Sequence, residues 1–187
     1  MNLLKIQSRR LLTLGVAAIL VSGVLQVTAL ADVADSTPGG FTVKITVNIN
    51  AAPADVYRRL VNNVGDWWDS AHTFSTDAHN LSIEERPMGC FCEKLKEGGA
   101  VRHMEVLYFQ PGKTLRMSGA LGPMQGFAVN AIATFALSPA PGGTKLELTY
   151  AVGGYMPQGL TGIAPIVDKV LTEQVNRLKS YIETGKP

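Results

Sequence analysis

Residues 41–49 alternate without a fault: Phe41, Val43, Ile45, Val47 and Ile49 fall on one side, Thr42, Lys44, Thr46 and Asn48 on the other. A period of two predicts a strand with one face buried. The next stretch, "APADVYRRLVN", changes to helical spacing, with Pro53 suited to a first turn and Val56, Leu60 and Val61 on one side. "VGDWWDSAH" predicts a second short helix. From residue 80 the pattern returns to strands, over 80–86, 89–96, 100–110, 113–119, 125–137 and 144–153, separated by Gly/Pro turns. In the last of these, Leu146, Leu148, Tyr150 and Val152 oppose Lys145, Glu147 and Thr149. A long helix is predicted from Leu160 to Glu183, because Ile163, Val167, Val170, Leu171, Val175, Leu178 and Ile182 form a stripe at helical spacing. Pro165 is tolerated there only in the first turn or so.

A sheet with one apolar face has to be covered, and the terminal helix is the element long enough to do it, which makes the chain one α+β unit. The segments "INAAPADVYRRL", "GDWW", "GCFCE", "QPGKTLRMSG" and "APIVDKVLTEQVNRLKSYIE", in that order, resemble the START-like (SRPBCC) superfamily. The likeness is to its polyketide cyclase/dehydrase-type and stress-protein-activator-like branches, and it covers residues 41–184. It implies a helix-grip fold: a curved antiparallel sheet of seven or so strands around a long C-terminal helix, with two short helices after the first strand. It also implies a cavity between sheet and helix, in which members bind lipids, sterols, polyketides or other apolar molecules and a minority catalyse reactions.

Residues 1–31 change the picture of charge and compartment. Lys5, Arg9 and Arg10 precede an apolar run from Leu11 to Leu25, and Ala29-Leu30-Ala31 offers small residues for cleavage before Asp32. This reads as a signal peptide, so the protein is expected to be exported to a periplasm or secreted. "SRRLLT" also resembles a twin-arginine signal, departing from it at Thr13 and Leu14. The chain holds 17 Lys+Arg and 15 Asp+Glu; the first 31 residues hold three of the basic ones and no acidic one, which leaves 14 basic against 15 acidic. A near-neutral mature chain without a basic stripe offers no footprint for nucleic acid. Residues 32–40 read as a flexible polar leader, no stable membrane span is expected after cleavage, and a monomer or weak dimer is expected.

The rim of the expected cavity falls on two Gly-rich but apolar segments, "GALGPMQGF" and "VGGYMPQGL". Leu121, Met124, Phe127, Tyr155 and Met156 are therefore expected ligand contacts, together with Phe74, Trp67 and Trp68. Adjacent helical residues point about 100° apart, so one indole is expected in the core and the other toward a ligand or loop. The same large side chains could also serve as plugs of the core. Asp69 and His72, three apart, could share a helical face as an orienting carboxylate and a general base, or simply cap the helix. Glu93 could act as a buried acid or pair across strands with Arg102. No nucleophile elbow, phosphate loop or dinucleotide fingerprint occurs in the sequence.

The two cysteines, Cys90 and Cys92, sit two apart. With a two-residue Gly98-Gly99 turn, Cys92 would oppose Glu105, Cys90 would oppose Leu107, and Lys94 would oppose His103. Both thiols and His103 would then share one sheet face, with Phe91, Met104 and Val106 on the other; a slip of one residue would move His103 across. In a straight strand residues i and i+2 lie about 6.6 Å apart, too far for a disulfide, so two free thiols are expected. They could pack as small side chains, or with His103 and His72 hold zinc or copper(I). No cofactor is otherwise expected. The expected function is binding of a small hydrophobic ligand; the alternatives are a cavity enzyme of cyclase, dehydratase or hydrolase type and a soft-metal or redox protein.

Overall fold

The structure is a computed structural model, and it describes residues 30–187. The predicted signal peptide lies outside the described residues except for its last two positions. Eight strands form one antiparallel sheet: β1 (Leu30–Thr37), β2 (Gly40–Ile49), β3 (Leu81–Ile83), β4 (Cys90–Lys94), β5 (Ala100–Gln110), β6 (Thr114–Ser118), β7 (Ala128–Ala140) and β8 (Gly143–Tyr155). Their order across the curved sheet is β1-β2-β8-β7-β6-β5-β4-β3. Helices α1 (Pro53–Asn62) and α2 (Val64–Trp67) follow β2, and α3 (Ala164–Thr184) ends the chain. This is the helix-grip arrangement.

The alternation in β2 becomes burial: Phe41, Val43, Ile45, Val47 and Ile49 are all inside. Leu146, Leu148, Tyr150 and Val152 of β8 join them, with Val43 directly opposite Tyr150 and Ile45 opposite Leu148. Each such side chain removed from water is worth roughly 1.5–3 kcal/mol. Pro141 and Gly142 close the β7–β8 hairpin, Gly142 supplying a positive φ of 80°. Helix α3 crosses β2 and packs against β1, α1 and α2. It starts later than the pattern suggests, at Ala164, so that Pro165 falls in its first turn. Ala164, Leu171, Val175 and Leu178 are its buried apolar residues. Polar ties hold its second half: Arg177 Nε donates to the Trp67 carbonyl at 3.0 Å, Tyr181 Oη to Asp66 at 3.0 Å, and Lys179 Nζ to the Asn48 carbonyl at 2.6 Å.

Two expectations change here. The leader expected to be flexible is an edge strand: Asp32 pairs with Lys44 and Val33 with Val43, and Pro38-Gly39 turns the chain into β2. The sheet accordingly has eight strands where about seven were expected. The physical reason is that β2 would otherwise leave a row of backbone donors and acceptors open, and an edge strand can be polar because one side of it meets solvent. A cut before Asp32 would remove Leu30 and Ala31 from the partners of Thr46 and Ile45.

Candidate functional site

The first half of α3 is apolar over a wider arc than its second half. Ile163, Ile166, Val167, Val170 and Leu171 spread over roughly 140° at 100° per residue. They wall a cavity of about 350 Å³ with Trp68, Ala71, His72, Thr73 and Phe74 from the loop after α2, His103 from β5, and Leu121 to Met124 before β7. Phe74 and Ile166 stand at its rim, 54% and 62% exposed. Among the described residues no helix is long and apolar enough to cross a membrane.

One buried polar pair borders this apolar space. Glu93 and His103 are 0% and 6% exposed, and His103 Nε2 lies 2.9 Å from Glu93 Oε2. The Phe74 N–H donates to Oε2 at 3.1 Å, and the Ser75 N–H donates to Oε1. Burial pushes the Glu93 carboxyl up, but the hydrogen bonds from Ser75, Phe74 and His103 outweigh it and hold the group below the usual carboxylate range. Burial pulls the His103 imidazole down, and the neighbouring Glu93 charge only partly restores it. The stable state is thus an ionised Glu93 and a neutral His103.

A bulge puts His103 there. Phe91 pairs with Met104, but Cys92 pairs with Arg102, so β5 carries one extra residue at His103. A bulge lets successive side chains point the same way, and both His103 and Met104 are buried. The imidazole lies against the Phe91 and Phe74 rings, with centroids 5.1 and 5.9 Å away. Gly119 keeps the next strand close: a Cβ there would lie 2.4 Å from the His103 carbonyl oxygen, and its φ is +151°.

The expected Cys-x-Cys geometry is overturned. The loop between β4 and β5 runs over five residues, Lys94 pairing with Ala100, so Cys92 opposes Arg102 and Cys90 opposes Glu105. Cys90 and Cys92 form a disulfide, with Cα atoms 5.3 Å apart. The register shift between Phe91 and Cys92 breaks the straight strand on which free thiols were expected. His103 lies with Phe91 and Glu93, which alternate with the cysteines along β4, so it faces away from the sulfurs. The set of two thiolates and His103 considered for zinc or copper(I) is not assembled. Arg102 pairs with Glu105 at 3.0 Å in place of Glu93.

Of the expected ligand contacts, Trp68, Phe74, Leu121 and Met124 line the cavity. Trp67 is in the core at 2% exposure, its ring 5.5 Å from that of Trp68. Phe127 and Tyr155 are exposed on the β7–β8 end, and Met156 packs against the core edge; none of the three is on the wall. Asp69 accepts from the Ala71 N–H at 2.9 Å, which holds its carboxyl low, and its own N–H donates to Gln174 Oε1 at 2.8 Å. His72 is on the wall, with Nε2 4.0 Å from Glu173. Asp69, His72 and Glu173 bring three potential metal-ligand atoms within 4.8 Å of one another. Asp69 is half-buried, and His72 and Glu173 are exposed, as suits an ion-pair cluster. The α3 wall was missed in the sequence, although its signal was present as the widened apolar arc at residues 163–171.

The family model described as polyketide cyclase/dehydrase and lipid transport matches residues 40–183, and the chain belongs to that family. A search of curated proteins gives no match. Among solved structures, a putative uncharacterized protein from Rhizobium leguminosarum is 18% identical with a TM-score of 0.58, covering 82% of this chain and 97% of its own. The Aha1 dimer from Colwellia psychrerythraea is 19% identical with a TM-score of 0.56, covering 78% and 98%. CalU16 from Micromonospora echinospora is 15% identical with a TM-score of 0.53, covering 84% and 88%. Likeness at this identity establishes the shared fold.

Proposed function

We propose that this member of the polyketide cyclase/dehydrase and lipid transport family binds a small apolar molecule between α3 and the loops that precede β3 and β7. The observation that carries this reading is the cavity itself. Protein interiors fill their space about as densely as organic crystals, yet apolar side chains from three separate segments here leave about 350 Å³ between them. That volume is near the lower end for small-molecule sites. At about 30 Å³ per heavy atom it suits a ligand of on the order of a dozen heavy atoms. The exposed Phe74 and Ile166 at the rim give an apolar guest a path in.

The test uses the cavity's own indole. The chain has two tryptophans, so Trp67→Phe leaves Trp68, on the wall, as the reporter. Decyl methyl ether, titrated into this variant, should shift Trp68 emission saturably with one site per chain. Val170→Phe, which adds a ring to the wall, should weaken binding by about tenfold or more, the cost of roughly 1.4 kcal/mol of crowding. A folded protein that shows no saturable change with this ether or with other uncharged probes of similar size would refute the reading.

A further inference from the structure

We propose that the Cys90–Cys92 disulfide is a thiol-exchange site that sets how tightly the cavity holds its guest: a small dithiol opens the bridge and loosens the wall behind it. The inference rests on the binding reading above and adds a regulation to that site. Along β4 the two cysteines are half-buried on the outer face, while Phe91, between them, and Glu93 are buried on the inner one. The strand partners of Cys92 on its two sides, Ser82 and Arg102, are exposed, and Met88, two residues before Cys90, is 74% exposed. The bridge therefore stands on the side from which a small thiol arrives.

Phe91 ties the bridge to the cavity. Its ring lies edge-on 5.5 Å from that of Trp68 and 5.1 Å from that of His103, and both of these line the cavity. The disulfide holds the Cys90 and Cys92 Cα atoms 5.3 Å apart, against about 6.6 Å in a straight strand, so the chain is drawn in at Phe91. The step in register falls at the same place, between Phe91 and Cys92. Once the S–S bond opens, the two Cα atoms are free to move toward the straight-strand spacing, and Phe91 moves with them. An interior packed as densely as a crystal passes such a displacement to the rings in contact with it. Trp68 is the one that carries it to the wall.

The exchange leaves the fold standing. The bridge closes a ring of only three residues, so little of the stability depends on it, and Phe91 keeps its strand partners Ile83 and Met104. A dithiol attacks one sulfur as its thiolate, breaking the Cys90–Cys92 bond and forming a mixed disulfide. Its second thiolate then displaces the protein sulfur. The dithiol leaves as a cyclic disulfide, oxidised by two electrons, and the two cysteines take up those electrons and two protons as thiols.

The test adds dithiothreitol to the Trp67→Phe protein at about pH 8, where enough of the reagent is thiolate, and follows Trp68. The chain has two cysteines, so any effect of the dithiol belongs to this bridge. Reduction should shift Trp68 emission in the free protein. It should also weaken binding of decyl methyl ether by roughly 2- to 12-fold, the cost of immobilising one loosened large side chain, and reoxidation should restore the affinity. The Cys90→Ser/Cys92→Ser variant should bind like the reduced protein and ignore dithiothreitol. Should Trp67→Phe fail to fold, calorimetric titration of the native chain makes the same comparison. A bridge that folded protein does not exchange with dithiothreitol, or equal ether affinity in the two redox states, overturns the inference while the binding reading survives. Absence of saturable binding in both states removes both.

Discussion

Replacing Glu93 by Gln tests how much the fold depends on the buried pair. The carboxylate satisfies three donors: Phe74 N–H and His103 Nε2–H at Oε2, and Ser75 N–H at Oε1. Glutamine has one carbonyl oxygen. Placed at the Oε2 position, it keeps two donors and turns its amide NH₂ toward the Ser75 N–H, where two donors meet. An unmet buried donor costs about 1–3 kcal/mol, and the two surviving bonds each lose about 1 kcal/mol when the acceptor loses its charge. The sum, about 3–5 kcal/mol, matches the usual cost of removing one member of a buried ion pair. At about 2–4 °C per kcal/mol for a domain of this size, Tm should fall by roughly 6–20 °C. Thermal melts followed by circular dichroism measure the fall, and amide exchange at Ser75 should quicken in parallel. A Tm within about 2 °C of the native value, with Ser75 still protected, would show that the three-donor account is wrong.

The remaining predictions concern acid and the disulfide. His103 is held below the ordinary imidazole value of 6.5, so the unfolded chain binds this proton more readily than the folded one. The stability linked to it is complete above about pH 6.5 and is lost as pH falls from there through the folded value. Glu93, held below its ordinary 4.5, adds a further loss of the same sign below that pH. Urea midpoints should therefore decline between about pH 7 and about pH 5 in the native protein, and a flat profile in that window contradicts the assignment of a neutral buried His103. The Cys90–Cys92 bridge closes a loop of only three residues, for which loop entropy provides about 1.6 kcal/mol at most. The Cys90→Ser/Cys92→Ser variant should thus stay folded with a modest loss of stability, and denatured native protein should show no thiol reactive toward a maleimide. A reactive thiol in freshly purified, unreduced protein would dispose of the bridge.

Much of the fold was legible because periodicity is local. The alternation of Phe41 to Ile49 and of Leu146 to Val152 predicts β2 and β8, and the stripe from Ile163 to Ile182 predicts α3. The leader reads as a loop because the polarity of an edge strand such as Asp32–Thr37 is that of a loop. Of the site, Trp68, Phe74, Leu121 and Met124 were legible as large apolar side chains on loops, whereas Phe127, Tyr155 and Met156 carried the same signal and lie off the wall.

What the sequence determined by itself is most of the elements, the faces that β2 and β8 bury, and hence a helix laid across a sheet. What the tertiary structure decided is which side chains meet. Alternation assigns faces only up to register, and a single extra residue inverts them. The five-residue β4–β5 loop and the bulge at His103 are such changes. They bring His103 to Glu93 on the cavity side, where a straight two-residue hairpin would have placed it beside the cysteines. The same shift accompanies a Cys90–Cys92 Cα separation of 5.3 Å, against about 6.6 Å in a straight strand. A pattern of period two carries no record of that displacement, because it depends on how β4 packs against β5 and Gly119.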